Sequence, residues 1–467
     1  MRNSRRKGIV GGAAINAGGP TGQVSPAGSG PTHLHVAGSS TPILQNPEFR
    51  RLWAIGAFGG TMRWLDTLVL ALVALDLTGS PFLVSLTFFF RMAPMLLGLG
   101  LGVIADRANR KYFLVGGLVI QAVIAAVMAS LLIMDVLEYW HLAVATFLSG
   151  IVWASEFPVR RTLIGELVHP ERLGKAMSLD SATNAFSRIV GPFTGGVFMA
   201  TIGPEGAYVT GIVLFLSAAL IATTLRYARP QSDGTHRGVI AELAEGAKYI
   251  RASRLMVGTL IVTMLMNVFA FPYMSQQPII ARETLGVGDV LVGLLNSVEG
   301  LGSVFGATLI ASFALPRHYT RIYLYGSLLF LVGILLFSRS EWYWVSFAIV
   351  FIGGFGMSAF GTMQSTIMVS AASPEMRGRV MGTVAVFIGA GPLGQLNIGI
   401  MAGIYDPRTA VLITSIMGLA VMFVAALSFP ILRRADSMRI DNRMRTRHDL
   451  RTVDPPGALR NPGGGAD

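Results

Sequence analysis

Gly102-Val103-Ile104-Ala105-Asp106-Arg107-Ala108-Asn109-Arg110-Lys111 is a polar knot between two long apolar runs. The run before it, Leu83 to Gly102, is apolar except for Ser85, Thr87 and Arg91. The run after it, Tyr112 to Met134, has only Gln121 and Ser130 as plainly polar side chains. Each run is long enough to cross a bilayer core, which takes about 20 helical residues. The knot is therefore expected to be a tight hairpin at a membrane face. Its arginines and lysine place it on the cytoplasmic side, where basic residues crowd short loops.

Composition extends this reading to the whole chain. Of 467 residues, 52% are hydrophobic and 13% charged. A soluble domain carries about 25% charged residues, so a polytopic membrane protein is expected. The net charge of +12 does not point to nucleic acid, because the basic residues cap apolar runs instead of gathering on one face. The chain has no cysteine, which excludes disulfides, thiol catalysis and cysteine-ligated metals. Gly174-Lys175 is followed by Ala176, without the upstream glycine of a phosphate-binding loop. ATP-driven transport by this chain alone is not expected. No Ser-His-Asp, metal-ligand or nucleotide constellation supports an enzyme, and no cofactor is called for.

Twelve apolar runs can be counted, with the chain ends on one side. Residues 1–48 and 434–467 read as disordered tails, the first rich in Gly, Ala, Ser and Pro, the second basic and then Pro- and Gly-rich. Between them, 49–227 and 255–433 are expected to form six helices each. Residues 228–254 join them, and Val239, Leu243, Ala247 and Ile250 share one face of an amphipathic helix expected on the inner surface. Tail-side loops hold Arg107, Arg110, Lys111, Arg160, Arg161, Arg172 and Lys175 in the first half alone, whereas the opposite loops show Arg282, Arg339 and Arg408. Both termini are thus expected in the cytoplasm. The halves also echo each other. Pro170-Glu171-Arg172-Leu173-Gly174-Lys175 leads into helix 5 (about 177–202), and Pro374-Glu375-Met376-Arg377-Gly378-Arg379 leads into helix 11 (about 380–404). Gly191-Pro192 in the first is matched by Gly391-Pro392 in the second.

The opening stretch resembles the loop between helices 2 and 3 of the major facilitator superfamily, Gly-x-x-x-Asp-Arg-x-Gly-Arg-Arg. Gly102, Asp106, Arg107, Arg110 and Lys111 fall on that pattern, and Asn109 replaces its glycine. Gly191-Pro192-Phe193-Thr194-Gly195-Gly196 is similar to the helix 5 element of proton-coupled exporters in that superfamily. The chain as a whole looks most like the enterobactin-exporter and drug-efflux branch. One departure is helix 4, which reads Ser149 to Glu156 without the mid-depth arginine many drug exporters carry. The resemblance implies an all-α membrane fold of twelve helices in two pseudo-symmetric six-helix bundles, related by a parallel repeat. It also implies that Asp106 meets the end of helix 11 and latches the halves.

Charges inside membrane helices are costly and usually functional. Arg63 and Asp66 in helix 1 (about 52–75) lie three apart and share a face. Arg91 is in helix 2, Arg188 in helix 5, and Glu299 in helix 8 (about 290–315). Asp66 is expected to stay ionised in a charge cluster with Arg63 of its own helix and Arg91 or Arg188 from across the bundle. Glu299, with no basic residue in its own helix, is expected to be the proton-coupling acid. Gly191, Pro192, Gly195, Gly196, Gly391 and Pro392 are expected where one bundle meets the other. The whole reads as a monomeric, multi-pass exporter of the cell inner membrane, taking a small amphipathic drug or siderophore in exchange for protons. An importer, a lysophospholipid flippase or a non-transporting receptor are the alternatives.

Overall fold

The computed structural model describes residues 43–97, 109–227 and 239–435. Gly102, Asp106 and Arg107 of the expected latch lie outside the described residues, as do most of both tails and the start of the linker.

Among the described residues the helical segments group into twelve helices, and there is no strand. Helices 1 to 6 span Pro47–Thr78, Pro81–Met92 (with a tighter turn over Ala93–Leu97), Arg110–Ile133, Tyr139–Leu167, Pro170–Thr201 and Gly203–Thr223. Helices 7 to 12 span Arg254–Thr284, Asp289–Phe313, Tyr319–Arg339, Tyr343–Ala371, Pro374–Ile404 and Pro407–Ser428. Ten of these are long and apolar enough to span by composition alone. Helix 2 is a shorter apolar helix as described. Helix 5 has the length, but Asp180, Asn184 and Arg188 dilute its hydropathy. It is tolerated because Asp180 and Arg188 pair with other helices and Asn184 lines a cavity.

Local chemistry sets the helix ends. Asn46 caps helix 1 by accepting from the Glu48 and Phe49 N–H groups, and Pro47 follows at the first helical position. Gly79 closes the same helix at φ +60°, a backbone position open chiefly to glycine. Asp406 caps helix 12 through the Arg408 and Thr409 N–H groups.

Each set of six helices has its own apolar core. One centres on Phe49, Leu52, Leu114 and Leu118, the other on Met256, Tyr323, Phe330 and Phe337. The sets meet through two helix pairs in equivalent positions, 2 with 11 and 5 with 8, as a parallel repeat requires.

Three expectations change. The apolar run predicts helix 7 over about Leu255 to Met274, but the helix runs on to Thr284, through two wider π-helical turns over Met266–Ala270 and Ile280–Thr284. Gln276, Gln277 and Pro278 look like a loop in sequence, yet all three are buried, because both amides find partners on neighbouring helices. Arg160, assigned to a tail-side loop, is instead buried within helix 4. The linker helix, Val239–Arg251, lies against the protein. Ile250 is buried, Glu245 pairs with Arg379 at 2.7 Å, and Leu243 lies beside Gly382 of helix 11. Leu243 and Ile250 of its apolar face therefore pack against the protein.

Candidate functional site

A cavity of about 270 Å³ lies between the two halves, lined from helices 1, 2, 4, 5, 7 and 11. Arg63, Trp64, Phe88, Arg91, Trp153 and Gln395 form much of its wall. A smaller space of about 40 Å³ adjoins it within the first half, lined by Arg63, Asp66, Glu156 and Tyr208 among others. Here "tail face" means the side of Pro47 and Ser428, and "far face" the opposite side.

The far face is closed above the cavity by contacts between the halves. Gln276 Nε2 donates to Ser85 Oγ at 2.6 Å and to the Pro81 carbonyl at 3.2 Å. The Ser85 and Ser275 hydroxyls share a hydrogen bond of 3.0 Å. Nearer the surface, Arg282 of helix 7 pairs with Asp76 of helix 1, and with Asp289 of helix 8 at 2.9 Å. All these residues lie closer to the far ends of their helices than the cavity residues Phe88, Arg91, Phe271 and Met274.

Helices 5 and 8 approach most closely at Gly196 and Gly293. A Cβ added to Gly196 would meet the Gly293 Cα at 2.9 Å. Gly196 thus faces the other half, whereas Gly191 and Gly195 face their own bundle. Gly191 packs inside its own bundle, where a Cβ would meet the Leu65 amide nitrogen at 2.8 Å, and Gly195 faces Leu65 and Leu68. Pro192 turns its carbonyl towards Gly293 of the other half. A Cβ added to Gly391 would meet Met92 Sδ across the interface at 3.4 Å, next to Pro392 at the start of the second segment of helix 11.

The membrane-embedded charges fall into separate pairs. Asp66 takes Arg91 as its partner, with Arg91 Nη1 donating to Asp66 Oδ2 at 2.8 Å. Arg91 also reaches the Arg63 carbonyl at 3.3 Å. Arg63 itself does not pair with Asp66; its guanidinium lies over the Trp153 ring, 5.6 Å from the centroid. Nor does Arg188 join that cluster. It crosses to the other half and pairs with Glu299, whose second oxygen accepts from the Tyr273 hydroxyl. Glu299 is only 2% exposed. A third buried pair, Arg160 with Asp180, joins helices 4 and 5, with Gly56 of helix 1 leaving room for the guanidinium. On the tail face, Arg110 donates to Glu166 at 2.5 Å and to the Tyr227 hydroxyl at 3.3 Å. Lys111 lies 5.9 Å from the Tyr112 ring centroid.

Sequence reasoning missed Tyr273, Gln276, Gln395, Trp64 and Trp153. Only Gln276 carried a usable signal, as a buried amide pair beside proline in an otherwise apolar run. The indoles looked like ordinary packing residues.

Two six-helix bundles around a central cavity, with ion pairs within and between them, define a membrane transporter of the major facilitator type. Residues 37–454 match the family described as transmembrane secretion effector, and the chain belongs to that family. An uncharacterized MFS-type transporter of Bacillus subtilis, YfiS, is 27% identical over 278 residues, 57% of this chain and 65% of that protein, so the match spans slightly under two thirds of that relative. Macrolide efflux protein A of Streptococcus pyogenes is 20% identical over 363 residues, covering 76% of this chain and 89% of that one. The staphyloferrin A transporter of Staphylococcus aureus is 22% identical over 361 residues, 74% and 86% of the two chains. Among solved structures, the nucleoside transporter NupG superposes with a TM-score of 0.65 at 14% identity, over 83% of this chain and 99% of that one. At that identity the likeness speaks for the fold alone. The chain is a multi-pass membrane transporter, and its relatives are transporters, not enzymes.

Proposed function

We propose that this transporter exports a small amphipathic molecule across the bacterial inner membrane by alternating access, in exchange for protons, working as a monomer with both tails in the cytoplasm. The density of arginine and lysine on the tail face supports the orientation. The efflux relatives support the direction. The single observation that carries the coupling is the Arg188–Glu299 pair, which ties helix 5 to helix 8 across the interface between the halves. Breaking a buried pair by neutralising one partner is strongly destabilising, because the other charge is left uncompensated. A proton arriving on Glu299 would therefore weaken the closed contact between helices 5 and 8 and release Arg188. Tyr273 holds the carboxylate in place while this happens.

Proton gain and loss at Glu299 is tested by Glu299→Gln, which keeps the shape and removes the titration. The protein is reconstituted in vesicles with Nile red as a neutral amphipathic probe. A pH gradient should drive probe movement in the native protein and not in Glu299→Gln, while exchange without a gradient persists in both. Gradient-driven transport with an unchanged pH profile in Glu299→Gln would refute the role.

A further inference from the structure

We propose that the central cavity recognises amphipathic molecules bearing an anionic head, a carboxylate or its equivalent, with Arg63 receiving the charge. This deepens the transport reading above and rests on it.

The wall of the cavity is unequal in charge. Arg63 and Arg91 line it, and no carboxylate of the described residues does. The two arginines differ in how far they are committed. Arg91 is held by Asp66 and by the Arg63 carbonyl. The Arg63 guanidinium makes no hydrogen bond or ion pair among the described residues, and its one close partner is the face of Trp153. A guanidinium has five N–H donors and no acceptor. Stacking on an indole orients the fork without using those donors.

Around Arg63 the cavity wall is mostly apolar and aromatic, with Trp64, Phe88, Met92, Phe271 and Met274. Unused guanidinium donors at such a space suit an acceptor-rich, charged ligand. Phe88 and Phe271 then cover the apolar body.

Glu156 shares with Arg63 the lining of the small adjoining space and does not line the cavity. Its charge offsets part of the attraction, so neutralising it should strengthen binding of an anion. Electrostatic competition of this kind gives the proposal a second, opposite-signed test.

The experiment uses the full chain in nanodiscs and three dansyl probes that differ only in the head: a carboxylate, its methyl ester and a tertiary amine. Energy transfer from tryptophan to dansyl reports binding. The carboxylate should bind about tenfold tighter than the ester, the scale of one charge-assisted hydrogen bond, and tighter still than the amine. Arg63→Gln should abolish that preference, Arg63→Lys should keep part of it, and Glu156→Gln should enlarge it. Retained binding of the ester in each variant shows that the cavity is intact. Equal binding of all three heads, an amine preference, or a carboxylate preference that survives Arg63→Gln overturns the proposal. Any of those results leaves the exporter reading standing if the ester is still moved across vesicles. A carboxylate preference with no movement of any probe would instead support the site and sink the exporter reading.

Discussion

Replacing Gln276 by leucine should tip the transporter away from its far-closed arrangement. Gln276 is fully buried and donates two hydrogen bonds from helix 7 to helix 2, one to Ser85 Oγ and one to the Pro81 carbonyl. Each such bond is worth about 0.5–1.5 kcal/mol net. Both are made across the interface between the halves and are lost when that face opens and water takes their place. Leucine keeps the bulk and removes both, so the closed state should lose about 1–3 kcal/mol relative to the open one. That corresponds to roughly a 5- to 150-fold change in their ratio. The chain has no cysteine, so Thr67→Cys introduces a lone thiol on the cavity wall. A membrane-impermeant maleimide applied from the far face should label it faster in Gln276→Leu by a factor in that range. Gln277→Leu is the control. Its amide donates to the Leu295 carbonyl at 3.2 Å, inside its own half, and its loss should leave labelling unchanged. An unaltered rate in Gln276→Leu, or an equal rise in Gln277→Leu, would refute the reasoning.

Two further outcomes are expected. Gly196→Leu should abolish transport of Nile red while membrane insertion persists, because overpacking helix 5 against Gly293 of helix 8 costs about 1–3 kcal/mol; normal transport would place the moving contact elsewhere. At the far-face start of helix 12, burial works to raise the Asp406 carboxyl, but hydrogen bonds from Thr409 and Arg408, with the Arg408 charge, outweigh it and hold it below its ordinary value. Such a group contributes stability above its unfolded value, about 3.9, and loses it as pH falls through the folded one. Asp406→Ala should therefore lower the melting temperature in detergent at pH 7, by a cap worth about 0.5–2 kcal/mol, with the deficit shrinking below pH about 4. A deficit equally large in acid would show that the cap is not the cause.

Much of this architecture was legible before any coordinates. Apolar runs of bilayer length, arginine and lysine on alternate loops, and the Pro-Glu-x-x-Gly echo before helices 5 and 11 carry twelve spans in two related halves. Those signals are local, since a membrane allows only segments that satisfy their own backbone. A lone charge in an apolar run is legible as costly, which is why Arg63, Asp66, Arg91, Arg188 and Glu299 stood out at once.

Which charge meets which is a different matter. Arg63 and Asp66 share a helix face by spacing, yet Asp66 takes Arg91 from helix 2, and Arg188 leaves that cluster for Glu299 in the other half. Periodicity fixes the face a residue occupies but not the neighbour that face will meet, because the meeting depends on how twelve helices pack. Gly191 and Gly196 show this within one motif. They sit on different faces of one helix, and only the packed structure turns the first towards helix 1 and the second towards helix 8. The extension of helix 7 past Gln276 was hidden for the same reason. A buried amide is affordable only where a partner waits, and Ser85 lies 191 residues away in sequence. Sequence thus determined the membrane fold and its costly residues, whereas their pairing, and with it the cavity and its closed far face, was decided by tertiary packing.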